Sequence, residues 1–134
     1  MAICDKQRFN ALNAAEREQW QFSADFGRAV LKKRPCNPEA LAMAATALTT
    51  LGYYAEGLEY DRRLYALRPR DPLVVYNFAC SLALTGATDE AFSRLEEAIN
   101  LGYDDAQQLN RDPDWDKVRG FERFQELLLL AQNK

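Results

Sequence analysis

Apolar residues recur every three to four positions along most of this chain, the spacing that places them on one face of an α-helix. In its central part the apolar positions that keep this period are Leu41, Ala45, Leu48, Val75, Ala79 and Leu82. Two isolated glycines, Gly52 and Gly86, interrupt the pattern, which resumes after each of them. The pattern predicts an all-α protein whose helices are joined by short glycine-containing turns.

The central helices form two copies of one unit. Gly52 and Gly86 lie 34 residues apart in the chain, and so do Pro38 and Pro72. Further pairs at the same offset are Ala45 with Ala79, Leu48 with Leu82, Glu56 with Glu90, Leu58 with Phe92 and Leu67 with Leu101. Agreement at this many positions indicates an internal repeat. The sequence therefore predicts helices over 38–51, 54–67, 72–85 and 88–101.

Capping residues define where these helices begin and end. Asn37 and Asp71 each precede a proline, so we expect each to cap a helix whose first residue is that proline. Gly102 follows the helix predicted at 88–101 and suits a left-handed backbone conformation at its end. Asn13 and Glu16 have the spacing of a capping box, which predicts an earlier helix from about residue 14 to residue 33.

The two ends of the chain depart from the central pattern. A first helix would lie in residues 5–12, and the sequence leaves open whether it forms. Near the C-terminus, Pro113 falls where a repeat helix should be continuous, and an interior proline breaks a helix. We expect short helical pieces at 105–110 and 114–119, followed by a last helix from about residue 121 to residue 132.

The turns after the first helix of each copy, Leu51–Gly57 and Thr85–Ala91, resemble the tetratricopeptide repeat. The resemblance implies a right-handed superhelix of antiparallel helix pairs, an α-α solenoid, formed as a single domain over 1–134. The segments that it implies are a degenerate N-terminal repeat half at 14–36, repeats at 37–70 and 71–103, and a modified capping repeat at 104–131.

Composition narrows the class of function. The chain has 134 residues, a net charge of −3, three dispersed cysteines and no histidine. We therefore expect no enzyme, since the histidine-dependent triads and proton shuttles are excluded, and we expect no metal and no cofactor. Mixed charges argue against a nucleic-acid or membrane surface. The absence of an apolar leader or of a run of about 20 apolar residues favours a cytoplasmic protein.

The resemblance also assigns a binding surface, because the first helix of each tetratricopeptide repeat lines a concave groove. The groove residues that it implies are Ala42, Thr46, Thr49, Leu73, Tyr76, Asn77, Cys80 and Leu84. Cationic residues of the clamp that grips acidic chaperone tails are missing at the matching positions. We therefore expect the groove to bind an apolar peptide or helical segment of another protein.

Alternatives remain open for these residues and for the protein. Asn77 is either a ligand-binding amide or simply the usual residue of the repeat, and Tyr76 is either an interface anchor or a packing residue. Cys80 is expected to be a small apolar side chain and not a nucleophile. As alternatives to an adaptor, the chain would be a small chaperone for a secreted or aggregation-prone protein, or a self-associating scaffold with possible homo-oligomers.

Overall fold

The computed structural model describes residues 3–134, and over that range it contains only helices and turns. The elements are α1 (Lys6–Ala11), α2 (Ala14–Lys33), α3 (Pro38–Leu51), α4 (Tyr54–Leu67), α5 (Pro72–Leu84), α6 (Thr88–Asn100), α7 (Ala106–Arg111), a 3-10 turn (Pro113–Trp115) and α8 (Glu122–Gln132). The all-α prediction is confirmed. The N-terminal segment left open by the sequence forms α1, although Met1 and Ala2 lie outside the described residues.

The chain divides into two compact units. Unit 1 is Met1–Leu67 and unit 2 is Arg68–Lys134, so the division falls at the end of α4. In unit 1, α3 packs against both α2 and α4. In unit 2, α5 packs against α6, and α8 packs against α6 and α7. Neighbouring helices are joined by turns of a few residues, as the repeat predicts.

The predicted N-caps are present with their hydrogen bonds. Asn37 Oδ1 accepts from the Ala40 amide at 2.9 Å, and Asp71 Oδ1 accepts from the Leu73 amide at 3.0 Å. Asn13 and Glu16 form the reciprocal capping box that starts α2. These side chains satisfy amides that have no partner inside the helix, which is why the helices begin where the sequence indicates.

Three helices end in the same way, with a glycine in the left-handed region. The φ angles are 96° at Gly52, 84° at Gly86 and 118° at Gly102. After the last of these glycines the Tyr103 amide donates to the Ala98 carbonyl at 2.9 Å, a Schellman closure. The expected left-handed end at Gly102 is therefore confirmed, and it turns Tyr103 back over unit 2.

The two cores differ in the size of the residues that fill them. In unit 1, α2 and α3 approach so closely that a Cβ at Gly27 would lie 3.1 Å from the Ala40 carbonyl oxygen. The core of unit 2 instead contains large aromatic side chains, including Phe78, Trp115 and Phe124, each at most 1% exposed. Unit 1 is held by close helix approach and unit 2 by aromatic packing.

The predicted helical piece at 114–119 is wrong. The structure has a 3-10 turn at Pro113–Trp115 and non-helical turns from residue 116 to residue 120. The guanidinium of Arg119 donates to the Asn110 carbonyl at 2.5 Å and to the Asp112 carbonyl at 2.7 Å. These bonds hold the segment against the C-terminal end of α7, where the two carbonyls are bound by a side chain and not by a continuing helix.

Candidate functional site

Helix α3 in unit 1 presents an exposed stripe at the positions that the sequence assigned to a binding surface. Ala42 and Thr46 are exposed, one turn apart. Met43, beside them, is 40% exposed and was not among the predicted residues. The Thr50 hydroxyl donates to the Thr46 carbonyl at 2.7 Å, which extends a weakly polar edge along the same stripe. The stripe is small, apolar at one end and hydroxyl-bearing at the other.

Thr49, also predicted on this surface, faces α4 instead. Its Oγ1 is buried without a hydrogen-bond partner among the described residues, and a Cβ at Gly57 would collide with it. Thr49 is only partly exposed and fills the space that the glycine leaves. Its position makes it a packing residue between α3 and α4.

Helix α5 in unit 2 also presents some of the predicted residues. Leu73 is 59% exposed, and Asn77 is exposed one turn later on the same helix. Leu84 is half-buried at the other end of α5, where it borders an open depression of about 420 Å³. The residues that line this depression are Ala83, Leu84, Thr85, Gly86, Thr88, Lys117, Val118 and Phe121.

The remaining two predicted residues, Tyr76 and Cys80, are buried, each 4% exposed. The Tyr76 hydroxyl donates to Asp112 Oδ2 at 2.7 Å, and the Cys80 thiol lies 3.7 Å from the same oxygen. The Tyr76 ring stacks on Tyr103 with ring centroids 4.0 Å apart and an interplanar angle of 6°. These side chains therefore join α5 to Asp112 and the 3-10 turn that it caps, which we call the C-terminal turn, and they are not on the protein surface.

Burial sets the protonation of this cluster. It raises the pKa of Tyr76 and of Cys80 well above their usual values, and the nearby Asp112 carboxylate acts in the same direction. Burial also raises the pKa of Tyr103 to about 12. Both the Tyr76 phenol and the Cys80 thiol therefore keep their protons at neutral pH and can donate to Asp112. A thiol held in this form is a poor nucleophile.

The cluster includes a set of potential metal ligands. Ligand atoms of Cys80, Asp112 and Asp114 lie within 4.8 Å of one another. However, Asp112 Oδ1 already accepts from the Asp114 amide at 3.0 Å, and its Oδ2 accepts from Tyr76. A cation would have to compete with these bonds for the Asp112 carboxylate, and Cys80 would have to lose its proton. The arrangement is explained as a hydrogen-bonded anchor for the C-terminal turn.

Sequence reasoning predicted only part of this anchor. Asp112 precedes Pro113 as Asn37 and Asp71 precede their prolines, and it caps the 3-10 turn. Its bond to Tyr76 joins residues 36 positions apart, outside the reach of any local pattern. The available signal was the aromatic side chain at position 76, where the preceding repeat has Ala42.

Comparison with known proteins adds one partial similarity. No protein-family model matches the chain. The chain is 31% identical over 80 residues to a chloroplastic protein of Arabidopsis thaliana. The match covers 58% of this chain and 24% of that protein, so the chain spans about a quarter of its relative's length. Over residues 3–134, no helix is both long and apolar enough to cross a bilayer.

Proposed function

We propose that this chain is a non-enzymatic binding module of the tetratricopeptide type, which binds peptide or helical segments of another protein on the exposed face of α3 in unit 1 and on the exposed face of α5 in unit 2. The observation that carries this proposal is the exposure of apolar side chains on these two helices. Met43 is 40% exposed and Leu73 is 59% exposed, although each lies on the first helix of a repeat. Exposed side chains of this size destabilise the free protein little, and binding is favoured when a partner removes their apolar surface from water.

The chemistry of these faces defines the partner. Ala42 and Thr46 are small, so a ligand backbone could approach α3 closely. Glu39 is exposed on α3 near Met43, and the sequences of α3 and α5 contain no lysine or arginine to bind an acidic tail. Asn77 on α5 can donate and accept hydrogen bonds with a peptide backbone. The preferred ligand is therefore a segment with apolar side chains and few acidic residues.

Selection from a displayed peptide library tests this role and does not require the partner to be identified first. We expect enrichment of apolar segments whose affinity falls at least about tenfold for Met43→Asp or Leu73→Asp, a loss of about 1.4 kcal/mol or more. The matched control is Leu129→Asp on α8, because Leu129 is also 59% exposed. Circular dichroism should show unchanged folding for all three variants.

Two results would argue against the proposal. One is the enrichment of no sequence class above an unrelated helical protein. The other is enrichment of peptides whose affinities are the same for the wild type, the two face variants and the Leu129 control, because binding would then lie elsewhere on the molecule.

A further inference from the structure

Helix α2 exposes two neighbouring phenylalanines that its own unit does not cover. Phe22 is 68% exposed and Phe26 is 51% exposed, and their rings stack with centroids 6.0 Å apart at an interplanar angle of 21°. Stepping by 34 residues places Phe22 on Glu56 and Phe26 on Tyr60 in the next repeat. The paired phenyl groups are therefore a feature of α2 and not a requirement of the repeat.

The surroundings of this pair suit a helical partner. Helix α2 has 20 residues, which corresponds to a length of about 30 Å. Helical spacing places small and charged residues on the same side as the phenylalanines. We call this side the Phe22–Phe26 face; its residues, all exposed, are Ala15, Glu18, Phe22, Phe26, Ala29 and Lys33. The alanines keep the face low on both sides of the rings, so a second helix could lie along it.

The charges of the face are separated along the helix. Glu18 lies in the N-terminal half of α2, whereas Lys32 and Lys33 lie at its C-terminal end. Among the described residues, these three side chains have no ion-pair partner. A second copy of α2 laid antiparallel would therefore meet opposite charges at both ends, whereas a parallel copy would meet like charges.

We propose that the Phe22–Phe26 face is a homodimer interface in which the α2 helices of two copies pack antiparallel around a twofold axis near residue 24. In this arrangement Phe22 of each copy lies opposite Phe26 of the other, as an isologous contact requires. Glu18 lies within one helical turn of Lys32 and Lys33 of the second copy. The residues of this interface are distinct from those of the α3 and α5 faces described above.

Asp25 is the side chain least suited to this packing, because it lies beside the axis and approaches its own symmetry mate. Its carboxylate already accepts from Gln21 at 3.0 Å and pairs with Arg28 at 3.4 Å, which reduces the repulsion. The four phenyl groups together would remove roughly 500 Å² of surface from water, at about 200 Å² for each fully exposed ring. The phenyl groups therefore supply only part of the area of a standard stable interface, and we expect a weak dimer that depends on concentration.

Sedimentation equilibrium of the full chain, from low micromolar to submillimolar concentration, tests the interface. We expect a monomer–dimer equilibrium for the wild type and a loss of dimer affinity of at least about tenfold for Phe22→Ser combined with Phe26→Ser. Leu129→Ser in α8 is the control and should dimerise like the wild type. A wild type that stays monomeric at every concentration overturns the proposal, as does a dimer that the double variant retains.

Charge exchange tests the antiparallel arrangement itself. Glu18→Lys leaves lysines at positions 18, 32 and 33 of one chain, and Lys32→Glu combined with Lys33→Glu leaves glutamates at the same three positions of the other. Each variant alone should dimerise less than the wild type, and an equimolar mixture should form a heterodimer at low salt that weakens at high salt. If each variant alone dimerises as well as the wild type, the antiparallel packing is wrong, because a parallel pair places like charges opposite one another in the wild type and in both variants alike.

Discussion

Removal of one hydroxyl, in Tyr76→Phe, should measurably destabilise unit 2. The phenol donates at 2.7 Å to Asp112, and Tyr76 and Asp112 are only 4% and 7% exposed. The substitution keeps the ring and its stack on Tyr103, so the packing term is nearly unchanged. What is lost is a hydrogen bond to a buried carboxylate that water cannot easily replace.

The magnitude follows from the charge on the acceptor. A hydrogen bond to a charged group contributes about 1.5–3 kcal/mol to stability. In addition, the carboxylate stays buried when it loses its donor, so the cost of removing it from water remains uncompensated. The Cys80 thiol, 3.7 Å from the same oxygen, is a weaker donor and compensates little. We expect a loss of about 2 kcal/mol in the free energy of unfolding of unit 2, or a fall of about 1 M in the urea midpoint.

The two tryptophans allow the measurement to be assigned to one unit. Trp20 lies in unit 1 and Trp115 in unit 2, so a Trp20→Phe background leaves fluorescence that reports on unit 2. The control is Tyr60→Phe in unit 1, which should shift the Trp115 transition by less than about 0.5 kcal/mol. A Tyr76→Phe protein whose Trp115 transition matches its parent would refute the anchoring role of this bond.

Two further predictions concern helix packing and alkaline pH. Gly57→Ala should lower the free energy of unfolding by about 1–3 kcal/mol, because the added Cβ has no room against α3. Gly120→Ala is the control and should be neutral, since a Cβ there would have nothing within 4 Å. Equal effects of the two variants in thermal or urea unfolding would contradict the close approach of α3 and α4. Burial raises the pKa of Tyr103 in the folded protein from 10.0 to about 12. The folded state therefore holds this proton more tightly than the unfolded state, so the contribution of Tyr103 to stability is complete below pH 10 and is lost as the pH rises towards 12. Urea unfolding of unit 2 measured at about pH 8, 10 and 11.5 checks the sign, and stability that rises over this interval would contradict it.

The fold was largely predictable because its signals are local. The prolines at 38 and 72 and the caps that precede them fixed the starts of α3 and α5 to the residue. The segment at 114–119 was mispredicted because its geometry depends on Arg119 reaching back to two carbonyls, one of them nine residues earlier. A helical period can be identified in a sequence, but a side chain that competes for the backbone acceptors of a turn cannot.

The candidate surface was predictable on α3 and less so on α5, and the repeat itself explains the difference. Tyr76 occupies the repeat position of Ala42, and Cys80 occupies that of Thr46. The two α3 residues are exposed, while their α5 counterparts are buried under the turn that contains Asp112 and Trp115. A family pattern gives the direction in which a side chain points from its own helix, but not whether another segment covers it.

Tyr76 on α5 and the Phe22–Phe26 pair on α2 show two different environments for aromatic side chains in this chain. At position 76 the aromatic ring is covered by the chain's own C-terminal turn, which supplies both a ring to stack on and a carboxylate to bind. Phe22 and Phe26 replace a glutamate and a tyrosine of the next repeat, and their rings are still more than half exposed. An exposed apolar pair favours association because water is released when it is covered. Tyr76 is covered within unit 2, whereas the Phe22–Phe26 pair of α2 is left for a second molecule to cover.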